Sequence, residues 1–215
     1  MSTHEPDAPQ DPQSEPGTFC PRNRFGLRDY NELQRYETAA FHRRQLELSA
    51  FGVNGVFDSG HLRKIHWCLF RDVFPWAGEL RLAHMSKVGG VRFGAPQYIA
   101  SALGEALGKL KAGSLLRSLD HASFARRAGY YLGEINAIHP FREGNGRTQR
   151  EFVRQLAIHA GFALSWTGMS KEENRVASII SHTRGDNSGL VTIVERAMTE
   201  GAAASGVKDQ CGASS

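Results

Sequence analysis

Residues 139–150 hold the densest group of chemically useful side chains in this sequence. They read His-Pro-Phe-Arg-Glu-Gly-Asn-Gly-Arg-Thr-Gln-Arg, and a helix-like segment from Arg147 to Ala160 follows at once. Arginine is unfavourable at a helix N-terminus, because the helix dipole is positive there and prefers an anion. A bound polyphosphate would explain two arginines at this position, because its negative charge would offset theirs. The N–H groups of the Gly-Asn-Gly turn can point inward and bind such a polyphosphate. The motif therefore predicts a phosphate-binding site with its own candidate base.

Histidine and glutamate are the two residues of the motif that can activate substrates. Transfer of a nucleotide from ATP needs a base for the incoming hydroxyl and a divalent cation on the phosphates. Histidine is the residue type whose unperturbed pKa lies near neutrality, so His139 is the candidate catalytic base. Glu143 is the candidate ligand for Mg²⁺, which is commonly held by one or two carboxylates together with substrate phosphates.

The second half of the motif is suited to holding phosphates. Gly144 and Gly146 have no Cβ, so their backbone can approach an anion closely. Asn145 tolerates left-handed backbone geometry and can donate to a phosphate oxygen. Arg147 and Arg150 provide planar, bidentate donors for the outer phosphates. The motif thus predicts ATP as co-substrate and Mg²⁺ as cofactor.

Each of these residues also has an ordinary structural explanation. His139 can be a loop residue, Glu143 can be a carboxylate in the first turn of a helix, and the glycines can simply form a turn. Arg150 can pair with a surface acid, and Phe141 is best interpreted as a core residue that anchors the loop. The coincidence of all these residue types at fixed spacing ahead of a helix favours the functional interpretation.

The composition is that of a globular protein of one-domain length, with 215 residues, 40% of them hydrophobic and 22% charged. We expect no transmembrane segment, because no apolar run approaches about 18 residues. We also expect no signal peptide, since the N-terminus lacks a basic start followed by an apolar stretch. The three cysteines are odd in number and widely spaced, which favours reduced thiols in a cytoplasm.

The chain ends differ in composition from the middle. Residues 1–21 contain five of the eight prolines, and residues 1–17 carry four acids and no Lys or Arg. Because the whole chain has a net charge of +4, the remainder carries +8. A basic body suits a nucleotide or an acidic partner, but no motif supports direct nucleic-acid binding. We predict a disordered tail over 1–21, one domain over 22–200 and a flexible tail over 201–215.

Helical periodicity predicts an all-α core of about seven helices. Asp29 and Ser170 have the spacing of capping boxes, and Pro96 can open a helix. The helix before the motif must end near His139, because Pro140 disfavours helical geometry in the preceding residue. The predicted inward-facing residues are Leu33, Tyr36, Ala40 and Leu46; Leu62, Ile65, Leu69 and Val73; Ile99, Leu103, Leu107 and Leu110; Phe124, Ala128, Tyr131, Leu132 and Ile135; Phe152, Val153 and Leu156; Val176, Ile179 and Ile180; and Leu190, Ile193, Val194 and Ala197.

One segment breaks the helical pattern. Residues 79–82 alternate polar and apolar side chains, and residues 91–93 follow a Gly89-Gly90 turn. This predicts a short exposed β-hairpin over about 78–95. A lone hairpin is marginally stable, so it would serve as a flap whose edge accepts an extended segment of a target protein. A plain connection between helices is the alternative.

On these residues the chain is identified as a member of the Fic-domain family, whose signature is His-Pro-Phe-x-(Asp/Glu)-Gly-Asn-Gly-Arg-x-x-Arg. Residues 139–150 match it without a departure, and the resemblance covers roughly residues 22–200. It implies a Fic-type helical bundle whose flap docks the target, and an enzyme that transfers AMP from ATP to a protein hydroxyl, releasing pyrophosphate. It further implies that His139 deprotonates the target Tyr, Thr or Ser and that Glu143 holds Mg²⁺ between the α- and β-phosphates.

The resemblance also assigns the remaining motif residues. Gly144, Asn145 and Gly146 would cradle phosphates, with Arg147 on the β-phosphate and Arg150 on the γ-phosphate. Two other family activities remain alternatives: Doc-like transfer of the γ-phosphate, as by a kinase, and phosphocholine transfer. Doc-like relatives depart from Gly-Asn-Gly and lack the final arginine, whereas this chain has both. A non-catalytic interaction module that merely binds a nucleotide is the remaining alternative.

Family members are often silenced by a helix that bears (Ser/Thr)-x-x-x-Glu-(Gly/Asn). The only Ser or Thr with Glu four residues later is Ser101 with Glu105, and Ala106 follows it in a predicted core helix. The Glu200-Gly201 pair lacks the hydroxyl. We therefore expect the toxin of a bacterial toxin–antitoxin pair, in which a separate small antitoxin supplies the inhibitory Glu to Arg150. Known targets of such stand-alone toxins include the ATPase subunits of DNA gyrase and topoisomerase IV.

Overall fold

The computed structural model describes residues 4–6, 11–87 and 90–209. Within these residues the chain forms seven α-helices and two short strands, which confirms the predicted all-α class. The helices are α1 (Tyr30–Phe51), α2 (Ser59–Phe70), α3 (Ile99–Ala112), α4 (His121–Ile138), α5 (Asn145–His159), α6 (Lys171–Arg184) and α7 (Ser188–Asp209). The strands are β1 (His4–Pro6) and β2 (Met85–Lys87), and 3-10 turns cover Pro96–Tyr98 and Ser114–Leu116.

Helix ends follow the capping signals in the sequence. The Asp29 carboxylate accepts from the N–H of Glu32 at 2.8 Å, and the Ser170 hydroxyl accepts from the N–H of Glu173 at 3.2 Å. These bonds satisfy N–H groups that have no acceptor within the helix. Helix α4 ends one residue before His139, as the following proline predicts.

The chain divides into two compact units. The first comprises Met1–Gly108 with Ala137–Thr148, and the second comprises Lys109–Asn136 with Gln149–Ser215. In the first unit α1 packs against α2, with the rings of Phe41 and Phe70 stacked at 5.9 Å. In the second unit α6 packs against α7.

The inward-facing residues predicted for α2, α3, α4, α5 and α7 are all buried. The predictions for α1 and α6 are wrong in part. Tyr36 and Leu46 are 51% and 73% exposed, and Val176 is 42% exposed. The buried residues of α1 are Leu33, Glu37, Phe41 and Leu48, and those of α6 are Ala177 and Ser181. Polar residues occupy both buried faces, so a search for apolar side chains alone misplaces them.

The segment predicted as a hairpin takes a different form. Strand β2 pairs with β1 in antiparallel register, and Ser86 makes an isolated bridge to Arg92. Residues 79–82 are not a strand, and within them Arg81 is 1% exposed and Leu82 is 61% exposed. The N–H of Arg81 donates to the carbonyl of Pro140 at 2.9 Å, so this segment binds the motif loop. Gly89 of the predicted turn lies outside the described residues.

Parts of both predicted tails belong to the folded structure. Residues 11–21 are not disordered, because Asp11 is buried and its carboxylate pairs with the guanidinium of Arg142 at 2.7 Å. At the other end α7 continues to Asp209, which is reasonable because the alanines after Gly201 have high helix propensity. Residues 1–3, 7–10 and 210–215 of the predicted tails lie outside the described residues.

Two further expectations concern membranes and thiols. Among the helices in the described ranges, none has the length and apolarity needed to cross a bilayer. Cys20 and Cys68 are free, and Cys211 lies outside the described residues. Burial, with a smaller contribution from Glu15, raises the pKa of the Cys20 thiol to about 11. This thiol therefore stays protonated at neutral pH.

Candidate active site

The motif forms a tight loop between α4 and α5. The Asn145 side chain accepts from the N–H of Phe141 at 2.8 Å and donates to its carbonyl at 2.6 Å. Gly144 has φ +79°, and a Cβ there would lie 2.5 Å from the Phe70 ring, so the position requires glycine. The side chain of Asn145 closes the loop, which leaves its main-chain N–H as the group suited to an anion.

The first turn of α5 has main-chain N–H groups that are available to an anion. The first helical hydrogen bond runs from Thr148 N to Gly144 O at 3.0 Å. The N–H groups of Asn145, Gly146 and Arg147 precede it, so they have no acceptor within the helix. Together with the helix dipole, these N–H groups make the start of α5 suited to phosphate.

His139 lies at the end of α4 in an unusual conformation. Its φ is +51°, in the left-handed region that non-glycine residues rarely adopt. It is 3% exposed, and its ring stacks on Phe93 with centroids 3.7 Å apart and planes 14° apart. Its carbonyl accepts from Arg81 Nε at 2.7 Å. The candidate base is therefore held from both its main chain and its ring.

Glu143 points its carboxylate toward the start of α5. One oxygen accepts from the Tyr30 hydroxyl at 3.2 Å, and the other accepts from the N–H of Gly144 at 3.1 Å and lies 3.9 Å from the Arg147 guanidinium. In the part of the chain that the structure describes, no three His, Cys, Asp or Glu side chains form a metal-binding group. One partly exposed carboxylate at an anion site fits Mg²⁺ that arrives with a nucleotide, since Mg²⁺ is usually held jointly with phosphates.

Arg147 is paired with a buried carboxylate that the sequence analysis did not identify. Its guanidinium forms an ion pair with Glu37 of α1 and lies over the rings of Phe41 and Phe70, 4.9 and 4.7 Å from their centroids. Burial is the largest single influence and lowers the pKa of Arg147, but the charge and hydrogen bond of Glu37, together with the charges of Glu143 and Tyr30, outweigh burial and the net pKa is raised. Glu37 stands four residues after Leu33 on the buried face of α1, and this acidic residue at a core position was the available signal.

Arg150 stands three residues after Arg147 on α5, a spacing that puts two side chains on one helix face. It belongs to the second unit, whereas His139, Glu143 and residues 144–147 belong to the first. Its carbonyl accepts from Trp166 Nε1 at 3.0 Å.

A second histidine, His66, which the sequence analysis did not identify, contacts the motif loop. The Nδ1 atom of His66 accepts from the N–H of Gly78 at 2.8 Å, so Nε2 carries the proton and donates to the carbonyl of Glu143 at 3.0 Å. The His66 ring stacks on Phe141 with centroids 4.0 Å apart. Phe141 is 1% exposed, which confirms its interpretation as a core anchor.

His66 makes stability depend on pH. Burial lowers the pKa of His66 to about 3, against about 6.5 in an unfolded chain. Between about pH 6.5 and pH 3, His66 is therefore protonated in the unfolded chain but stays neutral in the folded chain. The free energy of unfolding falls by up to about 1.4 kcal/mol for each pH unit toward pH 3. Urea unfolding at pH 7 and pH 5 should show a smaller pH effect in His66→Gln than in wild type. The exposed-site control His42→Gln should match wild type, and equal pH effects in all three proteins would contradict this assignment.

Comparison with known proteins decides the family. The Fic/DOC family model matches residues 56–157. A probable protein adenylyltransferase Fic from Salmonella typhimurium is 38% identical over 193 residues, which cover 89% of this chain and 94% of that protein. The chain belongs to the Fic/DOC family.

Two further proteins extend the likeness. The protein adenylyltransferase VbhT of Bartonella schoenbuchensis is 40% identical over 190 residues, which are 88% of this chain but 39% of VbhT. The chain thus spans about two fifths of VbhT and nearly the whole of the Salmonella protein. The crystal structure of BepC from Bartonella tribocorum with bound AMPPNP matches with a TM-score of 0.78 and 25% identity, covering 86% of this chain and 95% of that one.

Proposed function

We propose that this Fic/DOC protein transfers AMP from ATP to a hydroxyl side chain of a target protein and releases pyrophosphate. The observation that carries the proposal is one loop in which His139 and Glu143 precede the start of α5, where main-chain donors suit phosphates. Two relatives named as protein adenylyltransferases, and one structure with a bound nucleotide analogue, support the same chemistry.

In the proposed reaction each motif residue has one task. His139 removes the proton of the target hydroxyl, whose oxygen then forms a bond to the α-phosphorus of ATP. The bond from that phosphorus to the bridging oxygen breaks, and pyrophosphate leaves with its charge stabilised by Arg147 and Arg150. Glu143 would hold Mg²⁺, which would supply positive charge to neutralise the phosphates. The N–H groups of residues 145–147 bind phosphate oxygens.

The position of the label in ATP tests the proposal. The purified chain is incubated with bacterial lysate and ATP labelled at either the α- or the γ-phosphate. Incorporation of the α-label alone is expected for AMP transfer, whereas the γ-label alone would indicate Doc-like kinase activity. Incorporation of neither label would support phosphocholine transfer or a binding module.

Glu143 gives a second test through metal dependence. Glu143→Gln should lower AMP transfer by about a hundredfold or more, because metal stabilisation of transferring phosphates is worth several kcal/mol. Rates measured against Mg²⁺ concentration should show the loss recovering only in part at high Mg²⁺. The control Glu195→Gln on α7 should behave as wild type. A Glu143→Gln rate equal to wild type would remove Glu143 from the metal site.

We also propose that a separate small antitoxin regulates the chain in the bacterial cytoplasm by supplying a Glu to Arg150. The absence of the inhibitory motif from the sequence supports this proposal. Full activity of the purified chain alone is expected. Finding it inhibited until one of its own glutamates is removed would contradict the antitoxin.

The proposed target docks on the flap segment, which is the stretch of about residues 78–95 around β2. The ATPase subunits of DNA gyrase and topoisomerase IV are the candidate targets to test. Each purified subunit is incubated with the chain and α-labelled ATP. Labelling of either subunit, lost in His139→Ala, supports the proposal, and labelling of other lysate proteins but neither subunit would reject it.

A further inference from the structure

A buried arginine hydrogen-bonds the main chain on both sides of His139. Arg81 donates from Nε to the carbonyl of His139 at 2.7 Å and from a terminal nitrogen to the carbonyl of Ile138 at 3.3 Å. Its main-chain N–H donates to the carbonyl of Pro140 at 2.9 Å. Arg81 therefore contacts three consecutive residues centred on the candidate base.

The conformation of His139 needs such support. A non-glycine residue at φ +51° is strained, and it persists only where its surroundings hold it. The planar guanidinium of Arg81 is suited to this task, because its donors lie in a fixed fork that a lysine does not have. Burial strengthens these bonds, since little water competes for the carbonyls.

The same guanidinium also joins the two ends of the flap segment. Its terminal nitrogens donate to the carbonyl of Ala83 at 2.7 Å, before β2, and to the carbonyl of Gly94, after it. Phe93, next to Gly94, stacks on the His139 ring with centroids 3.7 Å apart. The flap ends and the candidate base thus share one set of contacts.

We infer that Arg81 is a positioning residue for His139, which it holds in the orientation needed to take the proton of the target hydroxyl. The inference rests on the proposed AMP transfer. It assigns no contact with ATP to Arg81, because the residues proposed to bind phosphate lie at the start of α5. Loss of Arg81 should therefore slow the chemical step and spare nucleotide binding.

The test separates these two effects. Arg81→Gln should lower kcat for α-label incorporation into lysate protein by about 10- to 100-fold, because small misplacement of a catalytic group has effects of this size. The KM for ATP should change by less than about twofold, and Arg81→Lys should be intermediate. Arg63→Gln is the control: Arg63 Nε donates to the carbonyl of Gly78 at 2.8 Å, a main-chain group outside residues 138–140. Its kcat and KM should match wild type.

Two further measurements keep the inference testable. If Arg81→Gln melts far below wild type, Phe93→Leu removes the ring contact with His139 instead and should lower kcat in the same selective way. Independently of activity, the His139 imidazole signals in ¹H–¹⁵N NMR spectra should move in Arg81→Lys and stay in place in Arg63→Gln. An unchanged kcat, a loss confined to KM for ATP, or unmoved His139 signals would overturn the inference. Absence of wild-type α-labelling would instead count against the proposed function.

Discussion

His139→Ala is expected to lower the rate of AMP transfer by about 10²- to 10⁴-fold, the usual contribution of a positioned general base. Nucleotide affinity should remain near wild type, because the proposed phosphate donors belong to residues 145–147 and Arg150. The measurement pairs α-label incorporation at saturating ATP with calorimetric binding of ATP in the presence of Mg²⁺. The loss should therefore appear in kcat and not in binding.

The control for His139→Ala is the exposed histidine of α1. His42→Ala should leave both rate and binding unchanged, since His42 lies on the outer face of that helix. If His139→Ala transferred AMP at the wild-type rate, another group would have to accept the proton of the hydroxyl. An equal loss of nucleotide binding would instead mean that His139 supports the phosphate site.

Asp11→Ala should destabilise the protein by about 3–5 kcal/mol, the cost typical of breaking a buried ion pair. Arg142 Nε and the Asp11 carboxylate are 2.7 Å apart, and their side chains are 2% and 0% exposed. The remaining described partners of the guanidinium are the Ser14 hydroxyl and the Phe19 carbonyl, which do not neutralise its charge. Urea unfolding at pH 7 measures the loss.

Two variants show whether the loss of stability in Asp11→Ala comes from the unpaired buried charge of Arg142. Glu172→Ala breaks the Glu172–Arg175 pair, which has a similar length of 2.6 Å but is exposed on both sides. Its unfolding free energy should stay near wild type. Adding Arg142→Met to Asp11→Ala should recover much of the lost stability, because no charge is then buried alone. Equal losses in Asp11→Ala and Glu172→Ala would contradict the role of burial.

The helices could be predicted where burial and apolarity coincide. On α2 the apolar residues Leu62, Ile65 and Leu69 recur at helical spacing and are all buried, so they place the helix face, on which the buried His66 also lies. The buried face of α1 could not be predicted in this way because it includes Glu37, whose ion-pair partner Arg147 lies 110 residues away in the sequence. An ion pair across that separation leaves no periodic signal in the sequence.

The form of the flap segment depends on similar long-range contacts. Alternation predicted a strand over residues 79–82, but the Arg81 guanidinium donates to the carbonyls of His139 and Ile138, which only the folded chain brings close. The N-terminal residues were assigned to a tail by their prolines and acids. Asp11 is ordered nonetheless, because it is the counter-ion of a buried arginine at a variable position of the motif.

The sequence predicted which candidate site residues share one loop, but not how that loop is built. The motif placed His139, Glu143 and residues 144–147 together, since they share one loop and the helix start. It did not reveal that the Asn145 side chain is used within the loop, or that His66 and Arg81 support the loop from other segments. These roles follow from tertiary contacts, which local spacing does not encode.

Tandem mass spectrometry of the modified lysate protein tests the central claim most directly. The account predicts one AMP joined by a phosphodiester to a Tyr, Thr or Ser hydroxyl, present with the wild-type chain and absent with His139→Ala. A phosphate alone on that side chain, or the same AMP adduct formed at the wild-type rate by His139→Ala, would contradict it.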